Sequence, residues 1–223
     1  MNNTSSTRYV LRICAIGAGI SLLMLIVMVC LVKILHFVSA SDIVQNGIPM
    51  DIAFQGKLID HTRILTSIDV VFIIGWILSM IGIATLVRTR SKVLGDVALV
   101  IGLIAPLLDF TENEILLAMV QYMRYNDTLK VVWIIIRQFS YLVAFAAAAV
   151  IFVGLWSEKK QDRIMCMAGT IPMIPAIFGL YIPWLFFLVI FWYACWFVCV
   201  FWFLWSWSTH RLPENTEIQK SVY

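Results

Sequence analysis

Apolar residues run along this chain in long uninterrupted stretches, broken by short polar segments, and this spacing predicts the elements. The first stretch covers about 10–35. A polar, loop-like segment follows, SASDIVQNGIPMDIAFQGKLIDHTR (39–63), with Asn46-Gly47 and Pro49 as turn signals. Within it, MDIAFQGKLID has the character of a short amphipathic segment lying on a membrane surface. The second stretch, 64–87, ends at the basic turn RTRSK; the third runs from Val93 to Arg124 with Pro106 in its middle, where it can kink the helix. NDT (126–128) turns the chain into a fourth stretch, 130–156, and SEKKQDR (157–163) forms the next loop.

Residues 164–207 then carry no charge over 44 positions. A single bilayer crossing needs about 20 residues, so this region predicts two helices joined by a turn near GLYIPW (179–184), with Pro172 and Pro175 bending the first. One long bent helix, giving five spans, is the alternative. The fold class expected is therefore all-α: a polytopic membrane helix bundle of about six transmembrane helices, one domain over 1–207, followed by a polar cytoplasmic tail at 208–223.

Composition strengthens this reading. Of 223 residues, 62% are hydrophobic and only 13% charged, against about 25% charged in a soluble domain. Too few charges remain to cover a water-facing surface, so the expected environment is a lipid bilayer. A net charge of +3 gives no reason to invoke nucleic acid. The N-terminal apolar stretch, of about twenty residues, exceeds a signal-peptide core of about 7–15, which favours a retained helix over a cleaved leader. With six spans, one side of the membrane collects ten of the sixteen Lys and Arg residues. The positive-inside rule then expects both termini in the cytoplasm and a cytoplasmic-type (inner) cell membrane as the location.

The chemistry concentrates in LLDFTENEILL (107–117), which places Asp109, Glu112 and Glu114 in a greasy helix. Asp109, Glu112 and Asn113 share a face at spacings of three and four, whereas Glu114 lies about 200° round from Glu112. Counting outward from the basic turn near Arg90 sets Asp69 level with about residue 111, and counting from Asn126 sets Glu112 near Arg137 and Tyr141, at 1.5 Å per residue on each helix. Asp69, Asp109, Glu112, Asn113, Arg137 and Tyr141 thus form a candidate binding layer at the outer edge of the hydrocarbon core, with Gln138 and Ser140 as further candidate donors and Lys33 and His36 nearby. Charges there are costly unless paired or wetted. Two readings follow: an outward-facing site that moves or senses a proton, cation or small polar solute, and a structural or accessory subunit whose carboxylate–Arg137 contacts only lock the helices.

Other signals are weaker. No phosphate loop, Ser/His/Asp spacing or Cys-His pair favours an enzyme, and no cofactor is expected. Asp109-x-x-Glu112 lacks the His of a carboxylate-bridged metal bundle; Cys195 and Cys199 share a face without a His or acid. No disulfide framework is implied by the five cysteines, all of which lie in apolar runs. AFAAAA (144–149) offers a small-residue face for close helix contact, a candidate surface for a second copy or a membrane partner. The aromatic segment 183–207 suits lipid contact or interfacial anchoring. Asn126-Asp127-Thr128 is a glycosylation sequon. No internal repeat supports an inverted-repeat transporter plan.

IDVVFIIGW (68–76) paired with PLLDFTEN (106–113) resembles uncharacterised small multi-pass membrane proteins of prokaryotes, which carry a similar Asp-Phe stretch followed by an Asp-x-x-Glu-Asn helix. The resemblance covers residues 60–120. It implies that Asp69, Asp109, Glu112 and Asn113 belong to one site, and it implies no activity.

Overall fold

A computed structural model describes residues 3–35, 52–122, 127–157, 159–182 and 185–211. His36, Pro49, Arg124, the Asn126 sequon position and the tail from 212 lie outside the described residues. The described chain is all helix: α1 (Asn3–Lys33), α2 (Ile52–Arg88), α3 (Lys92–Tyr122), α4 (Asp127–Leu155), α5 (Lys160–Thr170), α6 (Met173–Tyr181) and α7 (Phe187–Ser206), closed by a π-helical turn, Trp207–Arg211. Six segments are long and apolar enough to cross a bilayer, with α5 and α6 together making the fifth. Six spans, not five, therefore describe the bundle, and the break predicted by Pro172 and Pro175 falls at residues 171–172.

The second helix departs from expectation. The segment around 52–63 is neither loop nor a separate surface helix; it is the first part of α2, which runs 37 residues and so spans about 55 Å. Its polar residues are compatible with helix because their hydroxyls bond back to their own backbone: Thr62 to the Leu58 carbonyl at 2.7 Å, Thr66 to Thr62 at 2.9 Å and Ser67 to Arg63 at 2.7 Å. Leu58 and Thr62 are buried, so this extension packs instead of lying flat.

α1 and α2 approach closely through small residues. Ala15, Ala18 and Cys14 are buried, and Ser21 donates to the Phe72 carbonyl at 2.9 Å. A Cβ placed on Gly75 would collide with Ser21 Oγ and lie 2.6 Å from the Gly17 carbonyl; one on Gly17 would lie 2.7 Å from Leu78 Cβ. This is the small-residue contact expected where lipid supplies no hydrophobic drive between helices.

The aromatic last helix is not simply a lipid-facing anchor. Phe187, Phe191, Phe201 and Trp205 are exposed, but Trp192, Trp196, Phe197 and Phe203 are fully buried and form the centre of the core. Trp196 stacks between Trp76 of α2 (6.1 Å) and Trp192 (6.2 Å), and the Phe152 ring of α4 meets it edge-on at 5.1 Å. The alanine face of α4 is also spent inside the chain: Ala144, Ala147 and Ala148 are buried, leaving Ala146 exposed. The surface expected to be open to a second copy is thus largely occupied by this chain's own helices.

Indoles serve backbone carbonyls at the proline inside α3 and at the break between α5 and α6. Pro106 has no N–H, so the Gly102 carbonyl one turn back loses its helical partner; Trp76 Nε1 donates to it at 3.1 Å. Where α5 gives way to α6, Trp192 Nε1 donates to the Gly169 carbonyl at 3.1 Å.

The opposite end of the bundle, at the α2–α3 turn, is tied by Arg90. Its guanidinium donates to the carbonyls of Leu155 and of Trp156 (3.3 Å), pairs with Asp162 at 3.4 Å and sits 5.6 Å from the centre of the Trp207 ring. Asp162 is fully buried and accepts the Ser157 hydroxyl at 2.7 Å. A residue legible in sequence only as a topology signal therefore caps α4 and joins α5 and the terminal turn to it.

Gly75→Ala is expected to destabilise the fold by about 1–3 kcal/mol, the range for overpacking, because the clash includes backbone. Thermal unfolding of purified protein in detergent checks this; an unchanged midpoint would show that α1 and α2 are free to move apart.

Candidate functional site

Helical phase sorts the acids as the sequence predicts. Asp69 on α2, Asp109, Glu112 and Asn113 on α3, and Arg137 and Tyr141 on α4 all converge between helices, while Glu114 is exposed. From Lys92, where α3 begins, Glu112 lies about 30 Å along the helix. That is the thickness of a hydrocarbon core, about 30 Å, so the cluster sits at the far edge of the apolar slab from the basic turn.

Each member has distinct company. Asn113 Nδ2 donates to Asp69 Oδ2, joining α3 to α2. Arg137 Nε lies 3.7 Å from Glu112 Oε1, joining α4 to α3, and Glu112 is 8% exposed. The guanidinium is also held between rings, 5.1 Å from the centre of Trp133 and 4.9 Å from that of Phe186, both within cation–π range. Tyr141 accepts a hydrogen bond from Arg137. The Tyr141 ring packs edge-on against Phe186 (5.9 Å) and Tyr193 (6.2 Å).

Asp109 differs from the other two acids. It lies within electrostatic reach of Asp69, Glu112 and Arg137, but among the described residues no side chain donates a hydrogen bond to it. It borders a small cavity between α2, α3, α4 and α7, lined also by Phe72, Ile73, Trp76, Ala105, Pro106, Ser140 and Tyr193. The cavity has room for about one water molecule. Of the further candidate donors, Ser140 donates to the Ala105 carbonyl at 3.2 Å and not to the acids; Lys33, expected near the layer, is exposed and joins none of the three salt bridges seen among the described residues.

Tyr193, Phe186, Trp133 and Trp76 belong to this site and were not singled out in the sequence. Pro106 carries a signal that was available: it lies three residues before Asp109, on the same helix face. Tyr193 carries a weaker one, a hydroxyl within an otherwise apolar aromatic run. Among the described residues no three His, Cys, Asp or Glu side chains converge to hold a metal ion, and all five cysteines are free.

No family model matches the chain, and comparison with curated proteins and with solved structures likewise returned no match. The chain is a multi-pass membrane protein on the evidence of its own six spans.

Trp76 bridges core and cavity, which makes its N–H testable by itself. Trp76→Phe retains most of the ring area but removes the N–H that serves the Gly102 carbonyl. A loss of about 1–3 kcal/mol, the cost of an unsatisfied buried acceptor, is expected in denaturation of the purified protein. A neutral result would mean that water already serves that carbonyl.

Proposed function

We propose that the Asp69–Asp109–Glu112–Arg137 cluster is an outward-facing acidic site at which this membrane protein binds, and moves or senses, a proton, a cation or a small polar solute. The observation that carries the reading is the position of Asp109: a carboxylate to which no side chain among the described residues donates, at the wall of a cavity between four helices. Intramembrane acids are costly and mark ion or proton pathways when they face a bundle interior or a wetted cavity. The excess of Lys and Arg at the Arg90 end supports placing that end in the cytoplasm and the cluster on the outer side. The prokaryotic resemblance groups Asp69, Asp109, Glu112 and Asn113 in the same way.

A second reading has its own support. The Arg137–Glu112 pair and the Asn113–Asp69 hydrogen bond each tie two helices, so the cluster also serves as a clamp that sets helix register. A structural or accessory subunit needs no more than that.

Two variants separate the readings. Arg137→Glu alone is expected to cost about 3–5 kcal/mol, the range for leaving a buried charge without its partner, and Glu112→Arg with Arg137→Glu is expected to recover much of it. Asp109→Asn is expected to leave the protein folded with an unfolding midpoint near that of wild type, since among the described residues it breaks no hydrogen bond or salt bridge. The same variant is expected to abolish proton or cation flux in proteoliposomes carrying a pH-sensitive dye. If wild-type protein conducts nothing and the double swap behaves as wild type in every assay, the clamp alone stands.

A further inference from the structure

The wall of the cavity is unusual in what it has left to offer. Trp76 has one N–H, and it is spent on the Gly102 carbonyl at 3.1 Å. Ser140 has one O–H, and it is spent on the Ala105 carbonyl at 3.2 Å, which leaves the hydroxyl oxygen as an acceptor. Phe72, Ile73, Ala105 and Pro106 contribute apolar surface. The remaining polar groups are the Asp109 carboxylate, an acceptor, and the Tyr193 hydroxyl. Three aromatic rings complete the lining, with Trp76 and Tyr193 5.4 Å apart and Phe72 and Tyr193 6.0 Å apart. Acceptors are available; the other donors are committed. An anion would find nothing but the Tyr193 hydroxyl to bind it, and a neutral solute would leave the carboxylate uncompensated.

Size and coordination narrow the class further. The space admits a body about as large as one water molecule. A hard metal cation takes about six or more oxygen ligands, waters among them; the side chains of Asp109, Ser140 and Tyr193 supply three, and a space of one water molecule leaves no room for the waters of the remaining shell. An ammonium ion is close to water in size and donates hydrogen bonds to a carboxylate and a hydroxyl oxygen, the two kinds of acceptor at this wall.

We infer that the cavity between Asp109, Ser140, Trp76 and Tyr193 is a binding site for a compact ammonium-class cation: ammonium itself, and methylammonium more weakly. This deepens the proposed acidic site and rests on that reading. The cation is bound as such; no covalent step is involved.

The test is a titration of the full chain in nanodiscs with ammonium, methylammonium, tetramethylammonium, sodium and potassium chlorides at constant ionic strength, followed by intrinsic tryptophan fluorescence. Ammonium is expected to give a saturable change at least ten-fold tighter than sodium or potassium, with methylammonium between and tetramethylammonium without effect. Asp109→Asn is expected to weaken binding at least ten-fold and Tyr193→Phe several-fold, whereas Glu114→Gln, an exposed acid outside the cavity, is expected to match wild type. Gel filtration and the unfolding midpoint of each variant identify any that fail to fold. Should Asp109→Asn be one of them, loss of ammonium binding in a folded Tyr193→Phe carries the assignment, and unchanged binding there overturns it. Potassium or tetramethylammonium binding as tightly as ammonium also overturns it. Asp109-dependent proton or sodium flux without ammonium binding sinks the ammonium assignment and leaves the acidic site standing. If no cation binds and no Asp109-dependent flux exists, both fall.

Discussion

A backbone carbonyl released by proline has no water to turn to in a bilayer, and this bundle is arranged around meeting that demand. Pro106 frees the Gly102 carbonyl of α3, and beside the break between α5 and α6 the Gly169 carbonyl also accepts from an indole; in each case an indole N–H supplies the hydrogen bond. An unsatisfied polar group in hydrocarbon costs several kcal/mol, so Trp76 and Trp192 are constrained in position as well as in identity. Trp196, stacked between them, connects the two repairs through one aromatic column. That column makes α7 the central strut of the bundle and explains why its inner face is aromatic: rings are large enough to reach neighbouring helices, and indoles alone among them carry an N–H.

The same proline shapes the polar site. Pro106, Ala105 and Ser140 border the cavity that Asp109 faces, and Trp76 closes it from α2 while holding Gly102. Stability and site chemistry are therefore joined in one side chain. Because the N–H of Trp76 and the O–H of Ser140 are consumed by backbone acceptors, the wall they form offers acceptors to whatever enters. Above it, Arg137 is held by a carboxylate, a phenol oxygen and two ring faces at once. Such a guanidinium is anchored against swinging toward Asp109, which keeps that acid distinct from the pair beside it.

The two ends of the bundle are secured by different chemistry. At the cluster end, charges on three neighbouring helices meet across the edge of the apolar slab. At the opposite end, Arg90 reaches two terminal carbonyls of α4 and the buried Asp162, so the α2–α3 turn, α4, α5 and the final turn converge on one guanidinium. Arginine suits this role because its planar fork of donors serves several acceptors at once. Between the ends, Gly17, Ser21 and Gly75 bring α1 against α2 by backbone proximity instead of side-chain interlock.

The sequence by itself narrowed the number of spans to six or five, because crossing length and charge-free runs are one-dimensional properties; the turn that divides 164–207 into two spans was decided by the structure. The sequence also determined that Asp109, Glu112 and Asn113 face one way and Glu114 another, since helical phase depends only on spacing. It did not determine which side of an all-apolar helix points inward. In a soluble protein hydrophobicity marks the interior, but here lipid and core are equally apolar, so the pattern along α7 and the alanine run of α4 carried no such information. Trp192, Tyr193 and Ala147 found their places only through tertiary packing. The early start of α2 was hidden for a related reason: polar residues that bond back to their own helix read as loop until the neighbours that bury Leu58 and Thr62 are present. The role of Arg90 likewise depended on which carbonyls the folded chain left within its reach.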